Sequence, residues 1–173
     1  MIDNLKGPVG VVAVAGQYRT GKSYLLNRML LNRSKGFGVG PTINPCTKGL
    51  WIWGSPISGT TPDGKPINVL VVDSEGIGGL DEDNNHDMRI FSLALLISSY
   101  FLYNSVGSID ENALSNLSLV TNISKHIQFK NSQSQTDSES QDDELIDCMP
   151  SFMWVVRDFA LQLCDENGSE IGS

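Results

Sequence analysis

The sequence predicts an α/β fold built on a mainly parallel, doubly wound sheet with one antiparallel edge strand. Three observations carry that expectation. Apolar runs of strand length alternate with segments of helical character. The first such run passes through a glycine loop directly into a helix-forming segment. Most of the polar clusters follow immediately on a strand, which is where sheets of this kind bind ligands.

Taken in order, the apolar run 9–15 reads as a strand buried on both faces. It leads into Gly16-Gln17-Tyr18-Arg19-Thr20-Gly21-Lys22-Ser23, which fits the phosphate-binding pattern G-x-x-x-x-G-K-[ST]. Residues 24–31 are rich in helix formers, and 34–41 form a glycine-rich loop. Bulky residues alternate over 48–53 and give a second strand. Pro62-Asp63-Gly64 supplies a turn, because proline presets φ and glycine permits φ > 0. A strand over 67–72 then pairs back on 48–53 as an antiparallel hairpin at the sheet edge. Asp73-Ser74-Glu75-Gly76 follows, with a mobile polar loop over 81–87. Residues 90–97 read as a helix and 98–103 as a central strand. Asp110 is the expected N-cap of a helix carrying Leu114, Leu117, Val120 or Thr121, Ile123 and Ile127. Low complexity over 131–147 predicts a disordered acidic insert. A last strand over 151–156 delivers Arg157-Asp158, and the tail from 165 is expected to be flexible.

With 173 residues the chain is one domain, 1–173, large enough for a real core. Its net charge of −8 excludes a nucleic-acid-binding surface, which needs clustered Lys and Arg. Six of the acids lie in 131–147 with no base, leaving −2 for the rest, so acidity belongs to the insert and not to the site. Three cysteines (Cys46, Cys148, Cys164) without paired spacing point to free thiols in a reducing, cytoplasmic compartment. The histidines, His86 and His126, stand apart and make no metal pattern. No signal peptide is visible, and the apolar stretch 90–103 is too short to span a bilayer. The sequons at Asn32, Asn116, Asn122 and Asn167 are expected to stay unused in such a compartment.

A phosphate loop implies a nucleoside triphosphate. Its N–H groups and the following helix N-terminus face the phosphates, Lys22 reaches the β- and γ-phosphates, and the Ser23 hydroxyl holds Mg²⁺. Thr47 is a second Mg²⁺ contact or an ordinary loop threonine. Asp73, at a strand end, suits a water-mediated contact to the metal. Gly76 can bring a backbone N–H against the γ-phosphate, since it has no Cβ. Glu75 either organises water near the nucleophile or caps the loop. Arg19 is either an arginine finger over the phosphates or a solvated loop residue.

GQYRTGKSYLLNRML, TINPCTKGLWIW, VVDSEGIGG, FLYNSVGSI and VVRDF, in that order, resemble the guanylate-binding proteins, dynamin-related large GTPases with the atlastins as near relatives. The resemblance covers most of residues 5–163 and implies a P-loop G domain that binds and hydrolyses GTP with Mg²⁺. It implies that Gln17, Tyr18, Arg19, Thr20, Gly21, Lys22, Ser23, Tyr24 and Gly76 cradle the nucleotide, with Arg19 as the in-cis finger. It maps Thr47 to switch I and Asp73 and Glu75 to the D-x-E-G motif of switch II. It gives guanine reading to Arg157 and Asp158 in place of an N-K-x-D motif. A nucleotide-dependent homodimer is implied for the full-length protein, with membrane association only through regions beyond this chain. Two departures bear on rate: Pro45 stands where the family often has serine, and Cys46 where it often has histidine. The family's domains also run further, so a partial G domain of low stability or weak nucleotide affinity is expected. A nucleotide switch or scaffold with little turnover, or an ATP-using P-loop enzyme, remains the alternative.

Overall fold

The computed structural model describes residues 7–39, 47–78, 84–109, 111, 113–115, 117–118 and 149–159. The expectations for Pro45, Cys46, Asp110, the insert 131–147 and the tail lie outside the described residues.

The described strands form one sheet. In chain order they are β1 (Val9–Gly16), β2 (Leu50–Ile52), β3 (Ile57–Thr60), β4 (Pro66–Ser74), β5 (Tyr100–Val106) and β6 (Ser151–Arg157). Across the sheet the order is β2-β4-β1-β5-β6, with β3 also on β4. β1 lies parallel between β4 and β5, and β5 pairs in parallel with β6. The carboxyl ends of four strands therefore meet at one edge, which brings Gly16, Ser74, Val106 and Arg157 into one neighbourhood.

Side chains alternate across this sheet with period two, and the core divides accordingly. Ala13, Ala15, Val72, Phe101 and Tyr103 face α2 (Asn84–Ile97) and pack with Phe91, Ala94, Leu95 and Ala113. Phe91 meets Phe101 edge-on at 5.4 Å between ring centroids. Their neighbours Val14, Val71 and Leu102 turn to the other face, against Leu26 and Phe37. That second face is covered by α1 (Lys22–Leu25), which widens into a π-helical turn over Leu26–Leu30. Leu31 N–H reaches Leu26 O at 3.0 Å, the five-residue step of that turn. Buried Asn27, within it, exchanges hydrogen bonds of 2.8 and 3.0 Å with the main chain of Phe37 and so fixes the following loop.

The α/β expectation holds, with two local corrections. The antiparallel edge is two short strands rather than one: β2 pairs with the end of β4 (Leu50↔Ser74) and β3 with its start (Ile57↔Val69). The turn at Pro62-Asp63-Gly64 joins β3 to β4, held by Thr61 and Lys65. β3 escaped the sequence reading because Ile57-Ser58-Gly59-Thr60 carries one apolar residue, and the space over Gly59 is filled by Ile67 and Val69 from β4. The second correction concerns 84–87, expected in a mobile loop, which already belong to α2. Two of these residues turn inward: His86 Nε2 lies 3.4 Å from Glu75 Oε2, and buried Asp87 accepts Gly78 N–H at 2.6 Å.

Candidate functional site

The glycine loop occupies the carboxyl end of β1. Gly16 has φ 144°, and a β-carbon there would sit 2.1 Å from the Asn104 carbonyl oxygen, so no side chain fits. Inside the loop Thr20 Oγ1 donates to Gln17 O at 2.8 Å, and Lys22 Nζ donates to the same oxygen at 3.0 Å. From β5, fully buried Asn104 donates through Nδ2 to Thr20 O at 2.8 Å. The loop is also stitched to the segment after β4, with Tyr18 N–H on Ile77 O at 2.9 Å and Ile77 N–H on Gly16 O at 3.1 Å.

That stitching explains the glycine of Asp73-Ser74-Glu75-Gly76. A β-carbon on Gly76 would lie 2.5 Å from Tyr18 Cα and 2.8 Å from Tyr18 N, backbone atoms that cannot yield. Gly76→Ala is expected to destabilise the domain by about 1–3 kcal/mol through overpacking. Denaturant unfolding checks this, and an unchanged midpoint would mean that the loop and the β4 extension do not touch.

Asp73 is the centre of the site. It is fully buried, and its Oδ2 accepts Ser23 Oγ at 2.5 Å and Thr47 Oγ1 at 3.1 Å. The two hydroxyls are 3.4 Å apart. Burial pushes the Asp73 carboxyl above the usual carboxylate range, against the opposing pull of Ser23, Lys22 and Thr47. Its Oδ1 is buried without a hydrogen-bond partner. Lys22 is buried beside it, and desolvation lowers its ammonium pKa to about 8 although Asp73 and Glu75 both act to raise it. Three hard oxygen donors from residues 23, 47 and 73 thus gather beside a buried amine, and they suit a small divalent cation such as Mg²⁺.

Glu75 is held on one of its two carboxylate oxygens. Its Oε2 accepts Gly49 N–H at 2.7 Å, and His86 Nε2 of α2 lies 3.4 Å from the same oxygen. Its Oε1 is buried and without a hydrogen-bond partner. Ser74 donates to Val14 O at 2.6 Å and locks β4 to β1 just before this point. Arg19 is exposed, with φ 60°, at the crest of the loop. Tyr24 is half exposed, its ring under the Arg28 guanidinium at 5.5 Å. Arg157 ends β6 with its guanidinium against Gly21, and exposed Asp158 follows with φ 53°.

Residues 16–24, 47, 73–76 and 157–158 therefore converge at one sheet edge. The sequence reading missed Asn104, Gly49, His86 and Asp87. Asn104 carried a legible signal, an amide following the bulky apolar run 100–103 of a central strand. The other three become visible only through tertiary contacts. Among the described residues no three His, Cys, Asp or Glu side chains gather as a metal cluster, and no helix is long and apolar enough to cross a membrane.

A family model described as guanylate-binding protein, N-terminal domain, matches residues 1–172. The chain belongs to the guanylate-binding protein family. Curated relatives agree with that membership. Guanylate-binding protein 1 of Chlorocebus aethiops is 44% identical over 158 residues, 90% of this chain and 26% of its own length. Guanylate-binding protein 1 of Homo sapiens is 42% identical over 90% of this chain and 26% of its own length. Guanylate-binding protein 7 of Mus musculus is 40% identical over 94% of this chain and 25% of its own length. The chain thus spans about a quarter of the curated relatives it matches. The family's N-terminal domain is a G domain, and the mainly parallel mixed sheet with its P-loop agrees with that fold.

Proposed function

We propose that this domain binds GTP with Mg²⁺ and hydrolyses it to GDP. The observation that carries the reading is the gathering of the Ser23, Thr47 and Asp73 oxygens beside Lys22 at the phosphate loop. Ser23 and Thr47 would hold the cation directly, with Asp73 accepting hydrogen bonds from its surroundings. When bound, it would offset negative charge on the β- and γ-phosphates. Lys22 binds the same phosphates, and their charge restores the ammonium that burial disfavours. The backbone N–H groups of 19–24 orient the chain of phosphates at the start of α1, since Tyr18 N–H is taken by Ile77 O. Gly76 allows the switch to approach the loop, and Arg19 folds over the phosphates to offset charge developing on the bridging oxygen.

Guanine recognition falls to Asp158. A carboxylate accepts both the N1–H and the N2–H of guanine, and adenine offers neither donor there. The family resemblance extends the proposal to a nucleotide-dependent homodimer of the intact protein, cytoplasmic, with any membrane attachment made by other regions. A second reading, a nucleotide switch with little turnover, is favoured by one observation: Glu75 Oε2 is already taken by Gly49 N–H.

Binding and turnover of GTP and ATP, with Mg²⁺ and with a chelator, separate these readings. GTP should bind more tightly than ATP, and chelation should reduce turnover to background. Asp158→Asn should weaken GTP by roughly ten- to a hundredfold, the loss of a charged acceptor at about 1.5–3 kcal/mol, while leaving ATP unchanged. Equal affinities for GTP and ATP would remove the guanine assignment. Tight binding without turnover would favour the switch.

A further inference from the structure

We propose that Arg157 is a positioning residue for the phosphate loop, joining the base-reading end of the site to the phosphate-binding end. The proposal rests on the nucleotide reading above and assigns Arg157 to a different part of the ligand than its neighbour Asp158.

The backbone of Arg157 is fixed by the sheet. It stands opposite Val106 in the β5–β6 register, and its carbonyl accepts Gly107 N–H at 2.8 Å. From there the side chain reaches along the sheet edge to the loop. A β-carbon placed on Gly21 would lie 3.2 Å from each terminal nitrogen of Arg157 and 3.3 Å from its Cζ. Near-equal distances to three atoms of one plane put the open side of the glycine over the face of the fork, toward its two outer nitrogens. Gly21 itself has φ 81° and starts α1, immediately before Lys22 and Ser23. Any side chain at 21 would press on the guanidinium as well as strain the backbone.

A second contact holds the preceding residue. Asn104, from the adjacent strand β5, donates to Thr20 O at 2.8 Å while fully buried. Thr20 and Gly21 are thus held by β5 and β6 respectively, and the residues that bind phosphate and metal follow directly. Arg157 Nε is buried without a hydrogen-bond partner, so the guanidinium is placed by packing on the loop rather than by its inner donor. The guanidinium stacks as a plane, which a lysine ammonium does not.

The test compares ligands that share guanine and differ in phosphates. In the intact protein, affinities for GMP, GDP, GTP and ATP are measured for the natural sequence, Arg157→Ala and Arg157→Lys. A loop brace predicts that GDP and GTP weaken at least about tenfold in Arg157→Ala. GMP should stay within about threefold, and the ratio of GTP to ATP affinity should also hold within about threefold. Arg157→Lys should show the same pattern, since it keeps charge and stem but not the plane. It also decides the matter by the same comparison if the alanine variant does not fold. Equal weakening of GMP, GDP and GTP with loss of the GTP preference would make Arg157 a base reader and overturn the proposal. Unchanged affinities throughout would overturn it as well. Failure of the natural protein to prefer GTP would sink the nucleotide reading itself, a result distinct from either outcome at Arg157.

Discussion

Lys22→Met is expected to lose nucleotide binding by about 10²–10⁴-fold while the domain stays folded. Among the described residues Lys22 is the one buried cation, and it donates to Gln17 O inside the loop at 3.0 Å. Two charge-assisted hydrogen bonds to the β- and γ-phosphates are worth about 1.5–3 kcal/mol each, which gives that range of affinity. The fold should tolerate the change for two reasons. Desolvation already lowers the pKa of Lys22 to about 8, so the ammonium is not a strong contributor to the empty domain. Burial also pushes Asp73 upward, so this carboxyl can take up a proton when its cationic neighbour is removed. Calorimetric titration with GTP and a melting curve on the same variant check both halves. Retained affinity within about tenfold would mean that the phosphates do not lie on this loop.

Arg19→Ala is expected to reduce turnover by roughly 10³–10⁵ while leaving GTP affinity within about threefold. The flanking backbone is fixed, with Tyr18 N–H on Ile77 O and Thr20 Oγ1 on Gln17 O, whereas the Arg19 side chain is exposed. At φ 60° arginine and alanine carry the same left-handed penalty, so the substitution changes the side chain and not the backbone cost. Stability should therefore move by less than about 0.5 kcal/mol, as for other exposed positions. Single-turnover hydrolysis at saturating GTP isolates the chemical step. Turnover within threefold of the natural protein would leave Arg19 a solvated loop residue.

Much of the site was legible because much of it is local. The phosphate loop needs a strand before it, a helix after it and two glycines inside it, all within 9–31, and the structure has each in place. Asp73 and Arg157 were legible as polar residues ending apolar strands, since a parallel sheet brings such ends together. The edge strand β3 was not legible, because one isoleucine beside a serine and a glycine makes too weak a strand signal, and only the tertiary structure sets Ile67 and Val69 over Gly59. The start of α2 was hidden for the opposite reason. His86 and Asp87 look solvated in sequence, yet they face Glu75 and Gly78.

By itself the sequence determined the α/β class, the family and the position of the phosphate loop. The class and the loop follow from hydrophobic period and glycine placement, which act over a few residues at a time, and the family from the resemblance of its ordered motifs. Only the tertiary structure decided that Ser23, Thr47 and Asp73 share a hydrogen-bonded cluster, that Glu75 is held by Gly49, and that Arg157 lies on Gly21 rather than apart from the loop. Those contacts join residues from separate strands and loops. Their partners are selected by sheet order and register, and by the need to satisfy polar groups that burial has cut off from water.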